Sequence, residues 1–110
     1  MLYQDQIVLK AETDLEPGRL VEVTSSGTAQ YTSASDATAI GVTLSRAVAG
    51  GSVAIGGRYI RVLNSGSSAI APGDAVEFAA NGTVQKHASG NGVGVAITAA
   101  AQNEYVLIAL

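Results

Sequence analysis

The sequence predicts an all-β protein, a compact sandwich or barrel of about ten short strands built from an internal duplication of two pseudo-equivalent halves. Turn signals recur every eight to twelve residues, a spacing typical of such folds. No segment of useful length has helical periodicity. The pattern Pro-Gly-x-x-Val-Glu, followed by Gly-Thr-x-Gln, occurs at 17–30 and again 55 residues later at 72–85.

The duplication extends over most of the chain. Two later segments match at an offset of 53 residues, 41–44 with 94–97 and 53–55 with 106–108. We therefore expect one domain, 1–110, with two pseudo-equivalent halves around a shared core. Its expected parts are an N-terminal arm at 1–5, a first repeat at 6–56 and a second repeat at 57–110.

Each repeat is expected to begin with a short β-branched strand, at 6–10 and 58–63. The Pro-Gly pair that follows predicts a type II turn, because proline presets φ at the first central position and glycine accepts a positive φ at the second. The next strand alternates in polarity, which predicts glutamates pointing outward and apolar residues inward. We expect the side chains of Glu22 and Glu77 to face outward and those of Val21, Val23, Val76 and Phe78 to face inward.

Hairpins, loops and buried strands complete each repeat. Asn81-Gly82 is typical of a type I′ hairpin, and Ser26-Gly27 occupies the same place in the first repeat. Polar loops are expected at 31–38 and 86–91. Buried strands should follow at 40–44 and 93–97, where Gly41 and Gly94 indicate a bulge or a close backbone approach. Final strands are expected at 52–55 and 104–110.

Composition excludes several classes of function. The net charge is −3, with 6 basic residues scattered along the chain, whereas a nucleic-acid binder needs a basic surface facing phosphates. No apolar run approaches the roughly 20 residues that span a bilayer. The segment Met1–Asp5 lacks the features of a signal peptide. We therefore expect neither a nucleic-acid nor a membrane partner, and synthesis without secretion.

The residues give no pattern for catalysis or cofactor binding. His87 is the only histidine and there is no cysteine, so neither a nucleophilic triad nor a recognisable zinc site is indicated. The glycines lack the lysine and serine or threonine of a nucleotide loop. Glu22 and Glu77 occupy matching positions, but their expected outward orientation on separate hairpins argues against an acid–base pair. We expect no enzyme, no catalytic residue, no metal and no cofactor.

One acidic segment leaves two interpretations open. Glu12, Asp14 and Glu16 alternate with less polar residues, so three carboxylates in an extended segment would line one face and hold a hard cation. The alternative is a solvated strand edge on which charges discourage unwanted pairing.

Two stretches are candidates for contact with another subunit. Arg58 and Arg61 flank Tyr59 in the first strand of the second repeat, and arginine and tyrosine are enriched at interface hot spots. Simple exposure on an edge strand is the alternative. Met1, Leu2 and Tyr3 form an apolar N-terminal arm, and a disordered terminus is the alternative there.

Nearly the whole chain, about residues 15–110, resembles the small phage capsid-cement proteins, also called head-decoration proteins. The resemblance is carried by glycine turns and small apolar strands, at 39–42, 70–76, 81–84 and 92–96, and by the final apolar strand. It implies a non-enzymatic protein on the outer surface of the virion capsid, made in the host cytoplasm. It also implies bridging of major capsid protein subunits, which stabilises the expanded shell, and self-association as a dimer or trimer, of which we favour the trimer.

A second hypothesis is a small β-barrel carrier or binding module of the barrel-sandwich type, since Pro-Gly-Asp-x-Val turns occur in lipoyl and biotinyl domains. Such domains carry a modified lysine at a hairpin tip. The lysines of this chain are Lys10 and Lys86, and neither lies in such a turn.

Overall fold

The computed structural model describes residues 6–35 and 38–110, and within them the regular secondary structure is almost entirely β-strand. The strands of the first half are β1 (Gln6–Lys10), β2 (Leu20–Val23), β3 (Ala29–Tyr31), β4 (Gly41–Thr43) and β5 (Ser52–Gly56). Those of the second half are β6 (Tyr59–Leu63), β7 (Ala75–Phe78), β8 (Val84–Lys86), β9 (Gly92–Ala96) and β10 (Tyr105–Ala109). A tight turn at Ala80–Gly82, in which Asn81 has left-handed backbone angles, separates β7 from β8.

The two halves form separate antiparallel sheets with the same topology. The first sheet has the order β1-β5-β4-β2-β3 and the second β6-β10-β9-β7-β8. Each strand of the second sheet occupies the place of the strand five earlier in the chain. The predicted all-β fold with two pseudo-equivalent halves is therefore confirmed.

Each sheet closes on itself into a small barrel. Ala11, directly after β1, forms a parallel bridge with Ala29 of β3, which joins the two edges of the first sheet. Asn64 and Val84 form the same bridge in the second half. A further antiparallel bridge, Leu15 with Ala47, has its counterpart in Ile70 with Ala100.

The turns follow the sequence signals. Gly18 and Gly73 have positive φ values of 77° and 88°, as a type II turn requires. Asn81 and Gly82 both have positive φ, at 56° and 72°, which confirms the type I′ hairpin. In the first repeat Gly27 alone of its pair has positive φ. The loop has the same length in both repeats, but its tight turn lies one position earlier in the first: Gly27 N–H donates to the Thr24 carbonyl, whereas in the second repeat Thr83 N–H donates to the Ala80 carbonyl.

Gly41 and Gly94 mark close backbone approaches, as predicted. A Cβ at Gly41 would overlap the carbonyl oxygen of Gly56, and one at Gly94 would overlap that of Ala109. The pairing of β7 with β9 also shifts register between Val76 and Glu77, which indicates a bulge.

The core consists of two apolar clusters, so the expectation of one shared core is wrong. The first cluster lies within the first half and includes Leu15, Val21 and Ile55. The second lies mainly in the second half but also contains Leu20 and Val42 of the first half. Strand β2 thus contributes Val21 to one core and its neighbour Leu20 to the other, and both side chains are fully buried.

Two orientations differ from the alternation that the sequence predicts. The alternation predicts that Val23 lies inside, but its side chain is 47% exposed, and that Glu77 lies outside, but it is only 5% exposed. Alternation assumes one buried and one solvent-exposed face of the strand, whereas β2 lies between two cores and the 87–91 loop covers Glu77.

The acidic segment 12–16 is not a strand edge, since its residues form bends around the isolated bridge at Leu15.

Candidate functional site: an apolar groove between the two halves

An open groove of about 750 Å³ lies where the two halves meet. We call it the junction groove. Its wall from the first half consists of Pro17, Gly18, Val42, Thr43, Leu44 and Gly56. Its wall from the second half consists of Tyr59, Ile60, Arg61, Tyr105 and Leu107.

Strand β6 places the exposed side chains of the groove. It is an edge strand of the second sheet and alternates between exposed Tyr59 and Arg61 and buried Ile60 and Val62. Tyr59 is 65% exposed. The alternation therefore turns an aromatic ring and a guanidinium toward the groove while the residues between them anchor the strand in the core.

The opposite wall depends on the turn at Pro17-Gly18. The hydroxyl of Thr43 accepts a hydrogen bond from Arg19 N–H at 3.0 Å and donates to the Glu16 carbonyl at 2.7 Å, so it bridges the two ends of the turn. In the second half the ends of the turn bond directly, with Asp74 N–H donating to the Ala71 carbonyl at 3.0 Å. The turn of the first half, which forms the groove wall, is thus bridged by a side-chain hydroxyl, whereas the equivalent turn of the second half closes directly.

Close contacts hold the two walls together. Leu63 N–H of β6 donates to the Gly18 carbonyl at 3.1 Å. The ring of Tyr105 lies so near Gly18 that any Cβ there would overlap it. Further along the junction, Gly82 N–H at the hairpin tip of the second half donates to the Thr32 carbonyl of the first half at 2.8 Å. These contacts join the two halves along the junction.

The structure brings together part of the predicted contact set. Tyr59 and Arg61 line the groove, and Arg58 lies exposed just before β6 but not among the lining residues. Met1, Leu2 and Tyr3 lie outside the described residues. Sequence reasoning missed Leu44, Tyr105 and Leu107. Leu44 ends a segment that the sequence predicts to be buried but is 47% exposed. Tyr105 and Leu107 lie in a C-terminal segment that reads as one apolar run and gives no sign of which residues face a groove.

The acidic segment does not converge on one point. Glu16 forms a bidentate ion pair with Arg46, with a shortest N–O distance of 2.7 Å. Asp14 accepts a hydrogen bond from Ala49 N–H and Glu12 accepts one from the Thr28 hydroxyl. Within residues 6–35 and 38–110, no group of three His, Cys, Asp or Glu side chains lies close enough to hold a metal ion.

Glu77 is the one residue of the described chain with a strongly shifted pKa. Its carboxylate accepts hydrogen bonds from Ala88 N–H at 2.7 Å, Gln85 Nε2 at 2.7 Å and Gly90 N–H at 2.9 Å. These donors, led by Ala88 N–H, lower the pKa of Glu77 to about 2. The arrangement fastens the 87–91 loop to β7, which is a structural task.

The histidine and the two lysines lie in the second-half loop and at strand ends. The half-exposed imidazole of His87 lies 3.2 Å from Glu77, between Nδ1 and Oε1. Lys86 ends β8 and faces Asp74 at 3.7 Å, and Lys10 ends β1, so neither lysine lies at the tip of a hairpin. The carrier-module hypothesis therefore gains no support from the positions of Lys10 and Lys86.

Over the described ranges, no helix is long and apolar enough to cross a bilayer.

A groove lined by tyrosine, arginine and aliphatic side chains has the composition that protein–protein interfaces favour. The family comparison agrees with a protein-binding surface. The model of the phage cement protein family matches residues 4–110, and the chain belongs to that family. It is a phage-head structural protein of a family that is not an enzyme class.

A solved structure shows the same fold. The crystal structure of the head fiber gp8.5 N base of bacteriophage phi29 superimposes with a TM-score of 0.77, covering 96% of this chain and 92% of that one. The two sequences are 14% identical. No protein with a curated description matches the sequence.

Proposed function

We propose that the protein binds the outer surface of the phage head, bridges major capsid protein subunits and so stabilises the expanded shell. Membership of the phage cement protein family supports the proposal. The observation that carries it in this chain is the junction groove, with Tyr59 and Arg61 on its exposed rim.

The groove has the chemistry of a protein-binding site. Tyr59 and Tyr105 are 65% and 48% exposed, and Leu44 is 47% exposed, so three large side chains lie uncovered around one depression. Tyrosine and arginine supply large contact areas at interface hot spots. We infer that an apolar side chain of the capsid protein enters the groove and that Arg61 pairs with an acceptor beside it.

Binding of this kind stabilises the shell by mass action. A protein that binds the expanded lattice in preference to its precursor shifts the equilibrium toward the expanded form. Many copies joined to one another act together through avidity, even when each contact is weak. We therefore propose a homo-oligomer, the trimer rather than the dimer, assembled from protein made in the host cytoplasm. Arg58 and the arm residues Met1, Leu2 and Tyr3 are proposed as further contacts.

The test is binding of purified protein to expanded capsids that lack it. Tyr59→Ala and Arg61→Ala should each weaken saturable binding about 10- to 100-fold, the range expected for hot-spot residues. Binding is read by co-sedimentation, and particle images with and without the protein show whether density appears on the outside of the shell.

Arg46→Ala is the matched control. Arg46 is also an exposed arginine, but it pairs with Glu16 and is not among the residues that line the junction groove. Arg46→Ala should leave the affinity for expanded capsids within about twofold of the wild-type value. The fold should also be kept, because surface ion pairs contribute little to stability. Wild-type protein that ignores expanded capsids would refute the proposed function. Equal effects of Arg46→Ala and Arg61→Ala would refute the role of the groove.

A further inference from the structure

The two halves of the chain join through unlike surfaces. On the first half, Leu20 and Val42 are 0% and 2% exposed because they pack on the second half's core. On the second half, Ile60 and Phe78 belong to the same cluster and are each 2% exposed. Strand β4 of the first half lies against β6 of the second.

The counterparts of these residues are exposed. In the second half, Ala75 and Val95 occupy the places of Leu20 and Val42, and Val95 is 48% exposed. In the first half, Ile7 and Val23 occupy the places of Ile60 and Phe78, and they are 39% and 47% exposed. We call Ala75 and Val95 the free face of the second half, and Ile7 and Val23 the free face of the first half.

Both free faces follow from the duplication. Each half has both kinds of surface, and the internal junction uses one kind from each, so one of each kind stays uncovered. Apolar exposure elsewhere does not follow this rule. Val48 is 66% exposed, and its counterpart Ala101 is exposed as well, so neither half buries that position.

We propose that the two free faces bind each other in different copies of this chain. The free face of the second half of one copy packs on the free face of the first half of the next, and the internal junction is repeated head-to-tail between molecules. This proposal deepens the self-association in the proposed function and rests on it.

The backbone supports the same geometry. Inside the chain, Leu63 N–H of edge strand β6 donates to the Gly18 carbonyl. The counterparts are Lys10 on edge strand β1 and Gly73 in the exposed Pro-Gly turn of the second half. A second copy placed by the internal junction therefore pairs β1 with that turn. The contact covers the side of Gln6–Lys10 that faces away from β5, since the bridge that closes the barrel lies beyond this strand at Ala11.

The contact is heterologous, and charge substitutions test that directly. Ile7→Lys and Val95→Glu each place one charge in the proposed contact, and each should weaken self-association of the free protein at least 10-fold. The double variant Ile7→Lys/Val95→Glu should restore assembly, because every contact then pairs opposite charges. Sedimentation velocity over a range of concentrations measures the effect.

Mixing and matched controls complete the design. A mixture of the two single variants should associate more strongly than either variant alone, since the lysine of one chain meets the glutamate of the other. A trimer formed from the mixture still has one contact between like variants, so it should be weaker than that of the double variant. Val48→Lys and Val48→Glu should assemble as the wild type does. Circular dichroism confirms that each variant is folded, and recovery in the double variant separates lost contact from lost fold.

Several results would overturn the inference. These are a wild-type chain that stays monomeric, single variants that assemble like the wild type, or a double variant no better than the singles. Because all are measured on free protein, they are separate from the capsid test. Monomers that still saturate expanded capsids would refute this contact and leave capsid binding standing.

Discussion

Glu77 shows how one buried carboxylate fixes a loop. Three donors and the nearby His87 surround it, and Gly90 permits the approach, because a Cβ there would lie 2.9 Å from Oε2. Its counterpart Glu22 accepts a hydrogen bond from Gln30 at 2.7 Å, as Glu77 does from Gln85. The shared Glu–Gln pair belongs to the repeat, and the loop bonds are an addition of the second half.

Glu77→Gln should lower stability at neutral pH. The side-chain amide has N–H groups of its own, and these would face the backbone N–H groups of the loop, so hydrogen bonds would be lost. The pKa of Glu77 is lowered to about 2 from its ordinary 4.5. The stability that this carboxylate contributes is therefore fully present above about pH 4.5 and is lost as the pH falls toward 2. Thermal melting from pH 2 to 7 should show wild type and variant differing at pH 7 and converging near pH 2.

Glu22→Gln is the control for this prediction, since it alters the shared Glu–Gln pair without the loop bonds. Its effect at pH 7 should be smaller than that of Glu77→Gln. A Glu77→Gln difference that is constant from pH 7 to pH 2 would show that the loop bonds do not depend on the carboxylate's charge.

Alternation along a strand predicts the exposure of its side chains only where one face of the strand is buried and the other faces solvent. Leu20 and Val21 are adjacent and both fully buried, because β2 lies between two cores. Val23 is exposed in the isolated chain although its counterpart Phe78 is buried. At the scale of the residue, the sequence therefore predicted the turns well and the side-chain environments of β2 and β7 poorly.

At the scale of the element, local signals were sufficient. Strand β1 has the predicted bounds, Gln6–Lys10, and the final strand expected at 104–110 is present as β10, Tyr105–Ala109. Asn81-Gly82 forms the predicted type I′ hairpin. These features depend on neighbouring residues, so they can be predicted without knowing the packing of the halves.

Gly94→Ala should destabilise the second half, because the added methyl group would overlap the carbonyl of Ala109 in the neighbouring strand β10. We expect a loss of about 1–3 kcal/mol, the usual cost of overpacking, measured by urea unfolding. Gly92→Ala is a control in the same strand, since a Cβ there meets its nearest atom, the Val76 carbonyl oxygen, at 4.0 Å. Similar losses for both variants would mean that strand propensity, not the close approach, sets the requirement for glycine.

At the scale of the whole molecule, the duplication was predictable and the relation between its halves was not. The repeated Pro-Gly and Gly-Thr patterns predict two copies of one topology. Nothing in that pattern indicates that Leu20 and Val42 complete the core of the other half while Ala75 and Val95 do not. The junction groove depends on that asymmetry, so only Tyr59 and Arg61 of its lining were predicted.

The repeat boundary between residues 56 and 57 remains a prediction that cleavage can test. A protease site inserted between Gly56 and Gly57 should give, after cleavage, two fragments that stay associated under native conditions. Once separated, the 57–110 fragment should lack a dispersed NMR spectrum, because its core has lost Leu20 and Val42. Adding the 1–56 fragment should restore the spectrum. A 57–110 fragment that folds alone would contradict this dependence.

The burial of Leu20 and Val42 by the second half also has a consequence for the order of folding. During synthesis the first half is complete before its partner, and its own core contains neither side chain. Both stay uncovered until β6 and the hairpin tip at Gly82 have been made. The newly made chain therefore passes through an interval in which a folded first half presents an exposed, aggregation-prone apolar surface. Rapid docking of the second half shortens that interval.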